Sequence, residues 1–155
     1  MNAQITQIPP IPVAMLKHTG SYDGIGAKFD QLWSWVSDNG IPAQRTIGIY
    51  WDNPEFTPAN QLRSAACVEL PMGYQATNNG SLPITFEEIA GGEYAIFKFV
   101  GPYENLEMAW SALTRWIEND QKRTISENPA FEVYVNDPTD TPSDKLITEL
   151  YMPLA

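Results

Sequence analysis

Near the C-terminus the stretch KLITELYMPL places Ile147, Glu149 and Tyr151 at alternate positions. In a strand, alternate side chains share a face. Leu146 and Leu150 read as core, so Glu149 and Tyr151 are expected on the opposite, open face. In FEVYV the same reasoning tucks Phe131, Val133 and Val135 under a helix and turns Glu132 and Tyr134 to the open face. Tyr50 corresponds to Tyr134, and Cys67 to Tyr151, through an internal repeat. The candidate ligand-binding residues are therefore Glu149, Tyr151, Tyr134, Glu132, Tyr50, Ile147 and Cys67.

The chemistry these types offer is recognition of a cation. A carboxylate among aromatic rings loses solvation, so its proton affinity rises. An arriving organic cation restores the charge balance and stacks on tyrosine faces, at roughly 0.5–2 kcal/mol each. The plainer alternative is a solvated sheet residue at Glu149. On adjacent strands Glu132 and Glu149 would also repel each other unless Lys17 or Lys98 intervened. General acid–base work by Glu149 with Tyr134 or Tyr151 needs hydrogen-bond reach, which spacing does not establish. No catalytic residue is assigned, and an enzyme is the less favoured reading. His18 stands alone, with no Cys or His at metal-ligand spacing. No Gly-rich phosphate loop follows a strand, and no nucleophile elbow is present. Neither metal nor cofactor is expected. Cys67 is read as a small inert thiol.

The elements that position these residues occur twice. FEVYVNDPTDTP matches IGIYWDNPEFTP at an offset of 84, through Tyr50/Tyr134, Pro54/Pro138, Thr57/Thr141 and Pro58/Pro142. VAMLKHTGSY matches YAIFKFVGPY at an offset of 81, through Ala14/Ala95, Lys17/Lys98, Gly20/Gly101 and Tyr22/Tyr103. The apolar stripe Ile25, Phe29, Leu32, Trp33, Val36 predicts a helix, and Leu106, Trp110, Leu113, Ile117 repeat it. Gly40 and Pro42 end the first helix; Asn119 and Asp120 bring the second to its polar end. Trp35 and Trp116 lie off the stripe and are expected to pack on the helix flanks. ITQI and TFEEI, each before a PP or GG step, read as hairpin partners of the strands that follow. Each unit is thus strand, strand, helix, strand, strand, over about 4–73 and 84–155, joined by the polar residues 74–83. One helix covers one sheet face. Two such units related by a pseudo-two-fold would turn their open faces toward one another, and a groove along the joint would be the ligand site.

Size and charge narrow the class. The chain has 155 residues, 43% of them hydrophobic, enough for one domain spanning 1–155. No apolar run is long enough to cross a bilayer, and no secretory signal is expected. One cysteine rules out an internal disulfide and suits a reducing cytoplasm. The formal net charge of -10 disfavours direct nucleic-acid binding and favours cations or a basic patch on a partner. A cytoplasmic monomer without membrane association is expected, and the initial Met1 is read as favouring a complete protein.

The phrases GIYWDNPEFTP, EIAGGEYAIFKFVGPYENL, FEVYVNDP and TELYMPL resemble the GyrI-like small-molecule-binding domain over essentially the whole chain. That domain serves AraC-type and MerR-type regulators as the effector-binding half and stands alone as the gyrase inhibitory protein. The resemblance implies a duplicated α+β unit with antiparallel sheets and a cleft for lipophilic, often cationic, compounds. It also implies an acid on the last strand, at Glu149. The first-copy counterpart looks like Asp in many relatives, in a phrase similar to RYDAC; here RSAAC places Ala65 there, so a pocket acidic on one side is expected. The helix-turn-helix part of the regulators is absent. The expected function is binding of a hydrophobic or cationic small molecule in sensing, sequestration or regulation. Inhibition of DNA gyrase is the alternative, with gyrase or a regulator as partner. Hydrolysis of strained electrophilic natural products is a second alternative.

Overall fold

The computed structural model describes every residue except Ala76, Asn78 and Asn79; the joining segment 74–83 therefore lies partly outside the described residues. In chain order the elements are β1 (Ala3–Ile8), β2 (Ile11–Thr19), α1 (Ile25–Asp38), β3 (Thr46–Tyr50), β4 (Arg63–Glu69), β5 (Thr85–Ile89), β6 (Gly92–Val100), α2 (Leu106–Arg115), β7 (Ala130–Tyr134) and β8 (Ile147–Pro153). The fold is a duplicated α+β arrangement with antiparallel sheets and one main helix per unit, as the repeat predicts.

The expected hairpins are not formed. β1 pairs with β6, from Ala3 opposite Phe97 to Ile8 opposite Gly92. β5 pairs with β2, from Ile11 opposite Ile89 to Met15 opposite Thr85. The reason for the first lies in Pro9–Pro10. Tight two-residue hairpin turns need positive φ, which the proline ring forbids. At the second step Gly92 has φ 141, a value that L side chains rarely adopt, and the chain passes on without reversing onto β5. The compact units are consequently Pro10–Ala90, here the α1 unit, and Met1–Pro9 with Gly91–Ala155, the α2 unit. The α1 unit has strand order β3-β4-β2-β5. The α2 unit has order β1-β6-β8-β7.

Each helix packs on one face of its own sheet. In the α1 unit Leu32, Trp35 and Val36 meet Ala14 and Leu16 of β2 and Ala66 and Val68 of β4. Trp35 is 4% exposed and lies 6.1 Å from the Phe86 ring, whereas Trp33 is 38% exposed. The core stripe thus runs through Trp35 rather than the expected Trp33. In the α2 unit Ala109, Leu113 and Ile117 pack on Ala95 and Leu150, with β1 adding Ala3 and Ile5.

The two copies also share their turns. The side chains of Asp52 and Asn136 each accept the backbone N–H that opens the last strand, Arg63 at 2.8 Å and Ile147 at 2.9 Å. This gives the repeated Asx–Pro phrases a structural role as local caps. Asp52 adds a two-point ion pair with the exposed Arg63 guanidinium, which holds its carboxyl below the usual range.

The helix ends differ. After α1, Gly40 adopts φ 58, and Ile41 N–H reaches Val36 O at 3.1 Å, closing a Schellman cap. After α2 the chain makes a π-helical turn, Trp116–Asp120, and the left-handed position falls on Lys122 at φ 55. Left-handed backbone costs an L-residue roughly 1–2 kcal/mol, part of which glycine returns as unfolded-state entropy. Lys122→Gly is therefore expected to stabilise the fold by about 0.5–1 kcal/mol, read as a higher urea midpoint with unchanged slope. A lower midpoint would show that the Lys122 side chain stabilises this turn by more than its strain.

Candidate functional site

On the sheet face opposite α2, Glu149 stands among mostly apolar side chains, with Lys98 on the neighbouring strand. Register sets its rows. Tyr151 of β8 stands between Ile96 of β6 and Phe131 of β7. Glu149 stands between Lys98 and Val133. Ile147 stands opposite Val100, and its carbonyl accepts from Val135 N–H at 3.0 Å. The Phe131 and Tyr151 rings stack at 4.5 Å with 14° between planes, and Tyr94 meets them edge-on at 5.4 and 6.1 Å. These three rings are buried, while Val100 and Val135 are 55% and 51% exposed. Glu149, half-buried, sits between the aromatic cluster and the exposed aliphatic row. Lys98 is exposed and directly across from it, yet the two are not ion-paired. Among the described residues Glu149 has no hydrogen-bond donor. Such an arrangement suits an apolar cation: its body can lie on the exposed aliphatic row, beside the buried aromatic cluster, while its charge meets the carboxylate.

Glu149, Tyr151 and Ile147 thus share a face, as strand alternation predicts. Glu132 and Tyr134 do not join them. Glu132 is in register with Leu150 and Tyr134 with Thr148, which puts both on the α2 side of the sheet. Glu132 is only 5% exposed and accepts from Trp110 Nε1 and Tyr134 Oη, each at 2.7 Å. Tyr134 also meets Tyr103 edge-on at 5.8 Å. Burial, and behind it the negative charges of Asp137 and Glu132, push the Tyr103 hydroxyl up. Two expectations fall with this placement. Glu132 and Glu149 do not repel each other across adjacent strands, since they stand on opposite faces. Tyr134 is equally out of reach as a catalytic partner for Glu149.

In the α1 unit Tyr50 likewise lies on the helix side. It is in register with Ser64, and its ring meets Tyr22, just before α1, at 4.9 Å. Cys67 does face away from α1, in register with Met15 and Ile47. It is fully buried, and desolvation drives its thiol far above the ordinary range, which leaves it inert as a nucleophile. The same face holds an acid that the repeat does not reveal. Glu87 of β5 is in register with Val13, 3.5 Å from Lys17 Nζ, and accepts from Thr85 Oγ1 at 2.6 Å. At the offset of 81 its counterpart is Thr6, so comparison of the copies gives no hint of a carboxylate there. Among the described residues no group of three or more His, Cys, Asp or Glu could hold a metal ion. No helix there is long and apolar enough to cross a membrane.

Comparison with known proteins places this geometry. The family model of the GyrI-like small molecule binding domain matches residues 1–155. A protein of Escherichia coli (strain K12) named DNA gyrase inhibitor is 32% identical over 139 residues, covering 88% of this chain and 87% of that protein. Among solved structures, the EcmrR C-terminal domain superposes with a TM-score of 0.82 at 18% identity, covering 99% of this chain and 96% of that one. A chain of the EcmrR–DNA complex matches with a TM-score of 0.81 at 19% identity, covering 98% of this chain and 56% of that one. SAV2435 bound to tetraphenylphosphonium gives a TM-score of 0.61 at 18% identity, covering 100% of this chain and 94% of that one. At these identities the structural matches establish the fold.

The buried Glu132 is expected to act on stability. Removing its carboxylate strands an indole N–H and a tyrosine hydroxyl in the core, so Glu132→Ala should cost about 2–4 kcal/mol. Trp110→Phe, which removes one donor and leaves the other, should cost less, about 1–2 kcal/mol. Urea unfolding of both variants checks the order; a mild Glu132→Ala would mean that the pair contributes little.

Proposed function

The chain belongs to the GyrI-like small molecule binding domain family, and from that membership we propose that it binds a lipophilic organic cation on the sheet face opposite α2. Glu149 supplies the counter-charge, Ile147 with Val100 and Val135 the aliphatic surface, and Tyr151, backed by the buried Phe131 ring, the aromatic border. The carrying observation is the half-buried carboxylate of Glu149, without a donor among the described residues, on a mostly apolar stretch of sheet. The relative SAV2435 binds tetraphenylphosphonium, a cation of this class. The protein would sense or sequester such compounds in the cytoplasm. The reading needs no catalytic step, and the separation of Glu149 from Tyr134 removes one acid–base pairing that hydrolysis could have used.

A second reading, inhibition of DNA gyrase, is favoured by the names of relatives about 30% identical. The net charge of -10 also suits a basic partner surface. The two readings are compatible, since one concerns a sheet face and the other the acidic exterior.

Tetraphenylphosphonium is expected to raise the melting temperature in a concentration-dependent way, reaching about 2.7 kcal/mol of added stability at a hundredfold excess over Kd. Glu149→Gln should keep the fold and lose most of that shift. A wild-type melting curve left unmoved by a panel of aromatic and aliphatic cations would remove the proposal's support. For the second reading, micromolar protein is expected to slow supercoiling by purified gyrase, with the effect weakening as salt screens the acidic surface. Unchanged supercoiling at low salt would count against it.

A further inference from the structure

We propose that β1 is a self-association strand, and that two copies of the chain join weakly and reversibly by antiparallel β1–β1 pairing. The outer edge of β1 is open. Its pairing phase follows from the Lys98 N–H that donates to Asn2 O at 3.3 Å. Antiparallel ladders alternate hydrogen-bonded and non-hydrogen-bonded pairs. With Asn2 bonded to Lys98, the residues bonded to β6 are Gln4, Thr6 and Ile8. Ala3, Ile5 and Gln7 then turn their N–H and C=O groups away from β6. β1 stands at the end of the strand order with β6 as its ladder partner, and among the described residues no turn or loop hydrogen bond uses these groups.

The composition of this edge singles it out. Strand edges are commonly protected by charge, proline or short length. β5, at the edge of the other unit, follows that rule with Glu87 and Glu88 in five residues. β1 is AQITQI, six residues with no charge and no proline. In a chain of net charge -10 an uncharged edge is where a second copy can approach. The acid in register with this strand, Glu93 opposite Gln7, is already held by Arg123 at 2.7 Å.

The strand is also self-complementary about Ile5. A two-fold axis there sets Ile5 against Ile5 of the second copy, Ala3 against Gln7, and Gln4 against Thr6. The outward groups of Ala3, Ile5 and Gln7 then exchange hydrogen bonds in register. The helix-side row brings Ile5 to Ile5, and the other row brings amide to hydroxyl, both favourable cross-strand pairs. Pairing of edges alone buries less than the ~1,200 Å² of a stable interface, so the association is weak and concentration-dependent. The monomer remains the species at low concentration.

Sedimentation equilibrium on the full chain, from about 10 μM to about 1 mM, tests this. A monomer–dimer equilibrium is expected, with more dimer at high salt because repulsion between acidic surfaces is screened. Gln7→Pro removes an outward N–H that the monomer does not use, a position where edge strands tolerate proline. It should raise the dimer dissociation constant about tenfold or more and leave the melting temperature of the dilute protein nearly unchanged. Should Gln7→Pro fail to fold, Gln4→Glu, at an exposed position, keeps the backbone and sets two like charges two residues apart along the paired edges, about 7 Å, with the same expected direction of loss. Hydrogen exchange gives the phase directly. The Ala3, Ile5 and Gln7 amides should gain protection with concentration, and those of Gln4, Thr6 and Ile8 should be protected throughout. A monomer at every concentration, assembly that grows beyond a dimer, variants that dimerise like wild type, or exchange without that alternation would each overturn the proposal.

Discussion

Strand β8 is hydrogen-bonded to β6 on one side and β7 on the other, and its register decides what surrounds Glu149. A slip by one residue would carry Glu149 into the core under α2 and turn Leu150 outward. Several contacts fix the phase. Leu150 is fully buried in the cluster with Leu113 and Ile117. Gly101 N–H donates to Leu146 O at 2.8 Å as β8 begins. Asn136 caps Ile147 through both its backbone N–H and the neighbouring Lys145 carbonyl. The candidate site is therefore an outcome of core packing. The side chains that would touch a ligand are held by strands whose opposite faces pack under α2, Leu150 and Ala95 against Leu113 and Ile117.

The prolines at positions 9 and 10 act on a larger scale. With a tight hairpin forbidden there, β1 is delivered to β6 and β5 to β2, so each compact unit borrows an edge strand from the other sequence copy. The borrowed strands differ between the units. β1 brings Ala3 and Ile5 into the α2 cluster. β5 brings Phe86 onto Trp35 and Glu87 onto the face that holds Cys67. Functional asymmetry therefore enters through edge strands as well as through substitutions at matched positions.

Much of this was legible in the sequence. The helices follow from a 3.6-residue apolar period, the units from two long self-matches, and the family from several ordered phrases. On β8 alternation assigns the faces correctly, because Leu146, Leu150 and Met152 oppose a mixed set. On β7 and β3 it misleads. Phe131 and Val133, and Ile47 and Ile49, are buried on the face away from their helices, while Tyr134 and Tyr50 are accommodated on the helix side by Tyr103 and Tyr22. A sheet buried on both faces gives alternation two apolar directions to choose between, and only register resolves them. Strand exchange was hidden for a related reason: pairing partners are non-local, and only the φ restriction of Pro9–Pro10 hinted at them.

Among the acids that depart from the repeat, three on the sheets have surroundings that separate their roles. Glu132, opposite Gly48 in the alignment of copies, is satisfied by an indole and a phenol inside the α2 unit. Glu87, aligned with Thr6, is met by Lys17 and Thr85. A ligand drawing on either would first have to displace a protein donor, and the gain in charge pairing would be offset by the groups left behind. Glu149, aligned with Ala65, has no such donor among the described residues, and Lys98 across from it is exposed enough to swing into solvent. Of the three, Glu149 alone can meet an incoming cation without breaking an internal pair. Apart from Lys98 its neighbours in register on that face are apolar, Val133 beside it and Ile147 and Tyr151 along the strand, so the ligand that profits most from it carries its charge inside a hydrophobic body.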